Sequence, residues 1–253
     1  MIQDVLPRVR SGALPQEPTR FCFPAIKPQN SRLLLTSRQA CFCEYIKLAL
    51  ISFFGNVNSI GDALTEIEFC NNLNGSIPYT RDDGPKTSPV VVMGWQGQPN
   101  DLICLAHEVA HAVQINLSGH AFMPPMAREV CAFLGELVLL GWLHTHDKAL
   151  FASLLRVWRT ENERYLGEHA EFLAAGLLKP TAPYKYAMNY PLARIMAVHV
   201  FENWSPKRIM DLFSSGQNAV QLLPFELLAK FETAAHLAID LPKKSVKKEE
   251  LTA

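Results

Sequence analysis

The sequence predicts a mainly α-helical fold with one small β-sheet, and three observations lead there. Apolar residues recur at helical spacing over most of the chain beyond residue 101. The good strand candidates are confined to the segment between Glu66 and Trp95. The apolar stretch "LICLAHEVAHAVQ", Leu102 to Gln114, carries two histidines four residues apart, which share a face only if it is a helix.

Taken in order, the elements are as follows. Five prolines in the first 28 residues (Pro7, Pro15, Pro18, Pro24, Pro28) predict an irregular arm over residues 1–35. "TSRQ" offers a capping box, Thr36 as cap and Gln39 three residues on, opening an amphipathic helix to about Phe54. A second helix is expected over 56–66. The text then changes to "EIEFC", "NNLNGSIPYTRDDGPKTS" and "PVVVMGW", whose β-branched runs and Asn/Gly/Asp/Pro punctuation predict a small sheet with long turns. Helices follow over 101–118, 125–143, 147–166, 168–178, 183–203, 205–214 and 223–239, with Pro124-Pro125, Pro206 and Pro224 at or near starts. The tail over 241–253 is charged and solvated, which leaves residues 36–240 as a single domain. No internal repeat is visible.

Composition excludes several classes. The 253 residues are 49% hydrophobic, enough for a sizeable core. Twenty-four basic residues balance 24 acidic ones, so no attraction to nucleic acid or to an anionic membrane is expected. Six cysteines, at Cys22, Cys41, Cys43, Cys70, Cys104 and Cys131, form no CxxC pair and read as reduced, buried thiols. The N-terminus lacks the apolar stretch of a signal peptide, and the longest apolar run, "LALISFFG", is too short to cross a bilayer. A cytoplasmic location is therefore expected. Nothing in the composition defines an oligomeric state.

His107, Glu108 and His111 make the HExxH arrangement. Two imidazoles one helical turn apart converge on one point, neutral imidazole is a good ligand for Zn²⁺, and the intervening glutamate can act as a base without binding the metal. A catalytic zinc needs a third protein ligand. The helix "PPMAREVCAFLGELVLLGWL" offers Glu129 and Glu136, seven residues apart and hence on one face, the first of them 18 residues beyond His111. With Glu129 on the metal, Glu136 could accept the outer N–H of a ligating histidine. The rest of that face is mostly apolar, and a carboxylate buried there without a partner would be costly.

These motifs resemble those of a known family. "PVVVMGWQGQPNDLICLAHEVAHAVQ" is similar to the core of the thimet oligopeptidase and oligoendopeptidase F family of zinc metallopeptidases, in which a strand and turn lead into the HExxH helix. "EVCAFLGE" is similar to that family's second motif, whose first glutamate is the zinc ligand, and this assigns the role to Glu129. "PYKYAMNYPLARIMA" is similar to the family's Tyr-x-Tyr-Ala region, which contacts the substrate carbonyl and implies Tyr184 and Tyr186. The resemblance runs from Tyr79 to Phe201. It implies a zincin-like helical metallopeptidase domain with a small β-sheet beside the active-site helix, and a peptide or protein substrate. Family members are much longer and carry a helical lid, so this chain should present an open groove. The family also has a histidine and a Gly- and Tyr-rich loop where this chain reads "HAEFLAAGLLKPTAPYKY", in which His169 is out of register.

Other polar residues read more plainly. His144 and His146 in "GWLHTHDK" form a helix-terminal pair, His120 makes a loop contact, Tyr190 is a packing residue and His199 a core or surface histidine. The sequence thus points to peptide-bond hydrolysis with His107, His111 and Glu129 as zinc ligands, Glu136 behind them, Glu108 as general base and a tyrosine on the oxyanion. Two alternatives are a peptide-binding or regulatory protein that keeps the metal without efficient turnover, and a zinc hydrolase of a non-peptide amide.

Overall fold

The structure is a computed structural model, and it describes residues 37–55, 58–71, 77–178 and 183–230. The expected arm over 1–35, the Thr36 cap and the tail over 241–253 lie outside the described residues. The fold is mainly helical with a three-stranded sheet. No helix among the described residues is long and apolar enough to cross a membrane.

Helices α1 (Ser37–Phe54) and α2 (Asn58–Thr65) precede the sheet. Its strands are β1 (Glu68–Asn71), β2 (Tyr79–Arg81) and β3 (Val90–Met93), in the order β1-β3-β2, with β1 parallel and β2 antiparallel to β3. The run Val90, Val91, Val92, Met93 is buried throughout, as a strand covered on both faces must be, and so takes the centre. β2 is an edge strand, and period-two alternation turns Thr80 inward while Tyr79 stays exposed.

The chain leaves β3 through a turn that sets the start of α3 (Pro99–Leu117). Gly97 takes φ +75°, Pro99 opens the helix, and the Asp101 carboxylate accepts the backbone N–H groups of Gln96 and Gln98 at 2.9 and 3.0 Å. α3 is buried on nearly every side, which its composition of Leu, Ile, Val and Ala permits. A loop with Gly119 and His120 both at positive φ then returns the chain into α4 (Pro125–His146), also buried along most of its length.

α3 and α4 approach unusually closely. A Cβ at Gly135 would lie 2.5 Å from the Ala110 Cβ and 2.9 Å from the Ala106 carbonyl oxygen. Gly135→Ala should therefore push the two helices apart. We expect destabilisation of ~1–3 kcal/mol by overpacking, a fall in Tm of roughly 2–12 °C in thermal unfolding, and weaker metal binding, because this packing sets the distance between the residues described below. An unchanged Tm would show that the helices are free to separate.

Beyond α4 come α5 (Lys148–Glu163), a π-helical turn (Arg164–Glu168) and α6 (His169–Leu178). The expected break near residue 167 is thus a widened turn in a continuing helix, closed by the His169 N–H on the Arg164 carbonyl. A single helix over 183–203 is not found. Tyr184 precedes a 3₁₀ turn (Tyr186–Asn189), and α7 (Tyr190–Asn203) begins only at Tyr190. Pro191 explains this, since it has no N–H to donate and is tolerated only in a first turn. α8 (Pro206–Ser214) matches its expected position. A short helix α9 (Ala219–Leu222) follows, and of the helix expected over 223–239 the described part, as far as residue 230, is a 3₁₀ turn (Phe225–Lys230) after Pro224.

One apolar core runs through these elements, with α4 packed against α1, α3 and α7. The cysteines differ in part from expectation. Cys131 is buried, but Cys41 and Cys70 are exposed, and no disulfide joins the described cysteines.

Candidate metal centre

α3 presents His107 and His111 one turn apart, and α4 presents Glu129 opposite them. His107 Nε2 lies 3.3 Å from Glu129 Oε2, and His111 Nε2 lies 3.6 Å from Glu129 Oε1. One donor atom from each of the three residues can be chosen so that all lie within 4.8 Å of one another. Ligands bound tetrahedrally to one metal ion at ~2.0–2.1 Å sit ~3.3–3.4 Å apart, close to the 3.3 and 3.6 Å between Glu129 and the two imidazoles. Glu129 is buried, and its Oε2 has no hydrogen-bond partner despite the neighbouring imidazole. An orphaned buried carboxylate oxygen facing two imidazoles is what such an ion would satisfy.

Behind the histidine runs a second line of contacts. His107 Nδ1 donates to Glu136 Oε1 at 2.8 Å, which leaves Nε2 facing Glu129. Glu136 Oε2 accepts from Arg194 Nη1 at 2.5 Å, and Arg194 Nε donates to Asn162 Oδ1 at 2.7 Å. Arg194, on α7, is completely buried, and its guanidinium also stacks 4.0 Å from the Trp158 ring centre and 4.6 Å from that of Phe133. His111 has no equivalent support, for its buried Nδ1 lacks a partner.

The electrostatics follow from these contacts. Burial alone would lower the His107 pKa, but contacts with Glu129 and Glu136 and their charges outweigh it and push it up to about 10. His111 is held well below its ordinary value by burial and by the charges of Arg128 and His107. Burial would raise Glu136, yet Arg194 and His107 hold its carboxyl below the usual range.

Glu108 follows His107 directly on α3 and reaches the edge strand β2. Its Oε2 accepts from Thr80 Oγ1 at 2.7 Å, and the same hydroxyl lies 2.8 Å from the Glu108 carbonyl oxygen, tying the edge strand β2 to the helix. Burial raises the Glu108 carboxyl above its ordinary range, while the charge of His107 and the Thr80 hydroxyl pull it partly back.

The two tyrosines are placed differently. The Tyr186 hydroxyl donates to Glu129 Oε1 at 2.5 Å, and burial followed by the Glu129 charge holds its pKa well above the ordinary value. The Tyr184 hydroxyl accepts from Asn189 Nδ2, which also donates to the Tyr186 carbonyl at 2.8 Å. Tyr190 packs against Tyr186, Tyr165 and Phe133, and His169 stacks on Tyr190 with ring centres 5.4 Å apart. His120 bonds Asp82 Oδ1 at 2.7 Å, a loop contact as expected. His146 lies flat on Trp142, ring centres 4.2 Å apart, and His144 packs on Phe151.

Thr80, Asn162, Asn189 and Arg194 were not singled out by the sequence. Their motifs are single polar residues in strand, helix or turn text, and only the fold brings them to the centre.

No protein-family model matches the chain, and no curated protein matches it in sequence. In fold it is similar to a solved structure described as that of a "putative peptidase from Chlamydophila abortus", with 15% identity and a TM-score of 0.56 over 78% of this chain and 45% of that one. The chain therefore spans less than half the length of that structure. At this identity the likeness is one of fold.

Proposed function

We propose that the protein is a zinc-dependent peptidase, a zincin-like relative of the thimet oligopeptidase and oligoendopeptidase F family. The observation that carries the reading is the convergence of His107, His111 and Glu129 on one point, with Glu108 beside them and not among them. A purely structural zinc would have four protein ligands and no use for Glu108.

His107 Nε2, His111 Nε2 and the Glu129 carboxylate would hold the ion, with Glu136 and Arg194 fixing the His107 ring. When bound, the ion acidifies a water molecule and polarises the scissile carbonyl. Glu108 takes the proton from the attacking water and delivers it to the leaving amine. Thr80 orients the Glu108 carboxylate from the edge strand. Tyr186, whose hydroxyl rests on Glu129, is the tyrosine we assign to the developing oxyanion, with Tyr184 beside it in the same turn. The substrate is a peptide or an extended segment of a protein.

The test is incubation of zinc-loaded protein with a peptide library, read by mass spectrometry, beside a Glu108→Gln control. Cleavage by the wild type that the control lacks is the expected result. Peptides bound but never cleaved by the wild type would favour the peptide-binding alternative instead.

A further inference from the structure

One cation beside the centre takes no part in this scheme. Arg128 stands in the first turn of α4, one residue before Glu129. Its backbone N–H is satisfied by the Pro124 carbonyl at 3.0 Å, but its half-buried side chain carries an Nε that is buried with no hydrogen-bond partner. Among the described residues its guanidinium forms no ion pair. Its position next to Glu129 sets its charge within electrostatic reach of Glu108, His111 and Tyr186. Arg194 is the opposite case, a buried cation fully taken up by Glu136, Asn162 and aromatic rings.

A guanidinium half withdrawn from water gains most from a planar anion that its fork can grip at two points. The charges around the centre also leave room for one. With a divalent ion bound, the three negative charges of Glu108, Glu129 and Glu136 would stand against four positive ones, two on the ion and one each on Arg128 and Arg194, which leaves one positive charge over. The ligand that approaches Glu108 is the obvious source of the missing anion.

We propose that Arg128 is a binding residue for a carboxylate of the substrate, close to the bond that is cut. The inference rests on the peptidase reading of the same site. A carboxylate can come from the C-terminus of the peptide, which would favour release of a short C-terminal fragment, or from an acidic side chain.

The experiment measures binding, not turnover. Zinc-loaded Glu108→Gln protein is titrated into three N-terminally labelled peptides of otherwise identical sequence, followed by fluorescence anisotropy. One ends in a free carboxylate, one in an amide, and one in an amide with a glutamate as the penultimate residue. We expect the plain amide to bind ~10–100-fold more weakly than the free acid, the scale of a charge-assisted hydrogen-bonded pair. Arg128→Met should abolish that difference while keeping zinc, and Arg128→Lys should restore part of it. Recovery of tight binding by the glutamate peptide would assign the site to a side-chain carboxylate as well. Equal binding of all three peptides, no binding of any, or discrimination that survives Arg128→Met would overturn the proposal. Wild-type protein that discriminates these peptides in the same way but cleaves none would leave the carboxylate site standing and remove the peptidase reading, whereas cleavage without discrimination would do the reverse.

Discussion

Glu108→Gln is expected to retain the fold and the metal while reducing hydrolysis by the ~10²–10⁴ assigned to general-base catalysis. Glutamine keeps the shape of the side chain and can still accept from Thr80, whose hydroxyl bonds Glu108 Oε2 at 2.7 Å and its carbonyl at 2.8 Å. It cannot take a proton from water near neutral pH. Because Glu108 is not in the group that could hold the ion, zinc stoichiometry should not change. The check is kcat on a peptide found in the library screen, with metal content measured on the same sample. Turnover unaffected by the substitution would end the proposed mechanism, and loss of zinc would move Glu108 into the ligand set.

Arg194→Met should have the largest effect on stability. The residue is 0% exposed and bonds Glu136, Asn162 and, at 3.4 Å, the Trp158 carbonyl. Methionine fills part of the space but leaves Glu136 without its cation, and breaking a buried pair from one side costs about 3–5 kcal/mol. The retained contact with His107 tempers this, so the lower end is expected. A fall in Tm on the order of 10 °C should follow for a chain of this size. Zinc affinity should drop by ~10–100-fold, since the group that orients His107 is disturbed. Adding Glu136→Met should recover stability, because an apolar pair of similar volume is often as stable as a buried ion pair, but should not recover zinc affinity. A single substitution costing under about 1 kcal/mol would mean that Arg194 is not what balances Glu136.

How far the site was legible in the sequence depends on distance along the chain. His107 and His111 share a face by helical spacing, and the same rule placed Glu129 and Glu136 together, so these four were readable from local pattern. Arg194 is 58 residues from Glu136, Asn162 is 32 from Arg194, and Thr80 is 28 from Glu108. No local periodicity encodes such pairs. Arg194 lies in the apolar text "PLARIMA", where a single charge gives no sign of its partner. Gly135 sits between apolar residues and Glu136, and its reason for being glycine is the approach of a different helix. The helices with long periodic patterns, α1, α3 and α4, were readable to within a few residues. The helix expected over 183–203 was misread because Pro191 outweighed the period: a missing N–H is decisive where an apolar spacing is only permissive.

The central claim is that His107, His111 and Glu129 share one zinc ion. The most direct measurement is anomalous diffraction at the zinc absorption edge from crystals of zinc-saturated protein. The account predicts a single strong peak at this centre, ~2.0–2.2 Å from His107 Nε2, His111 Nε2 and a Glu129 carboxylate oxygen, with His107 Nδ1 still on Glu136. A peak elsewhere, or none, with His107 Nε2 still lying directly against Glu129, would contradict it.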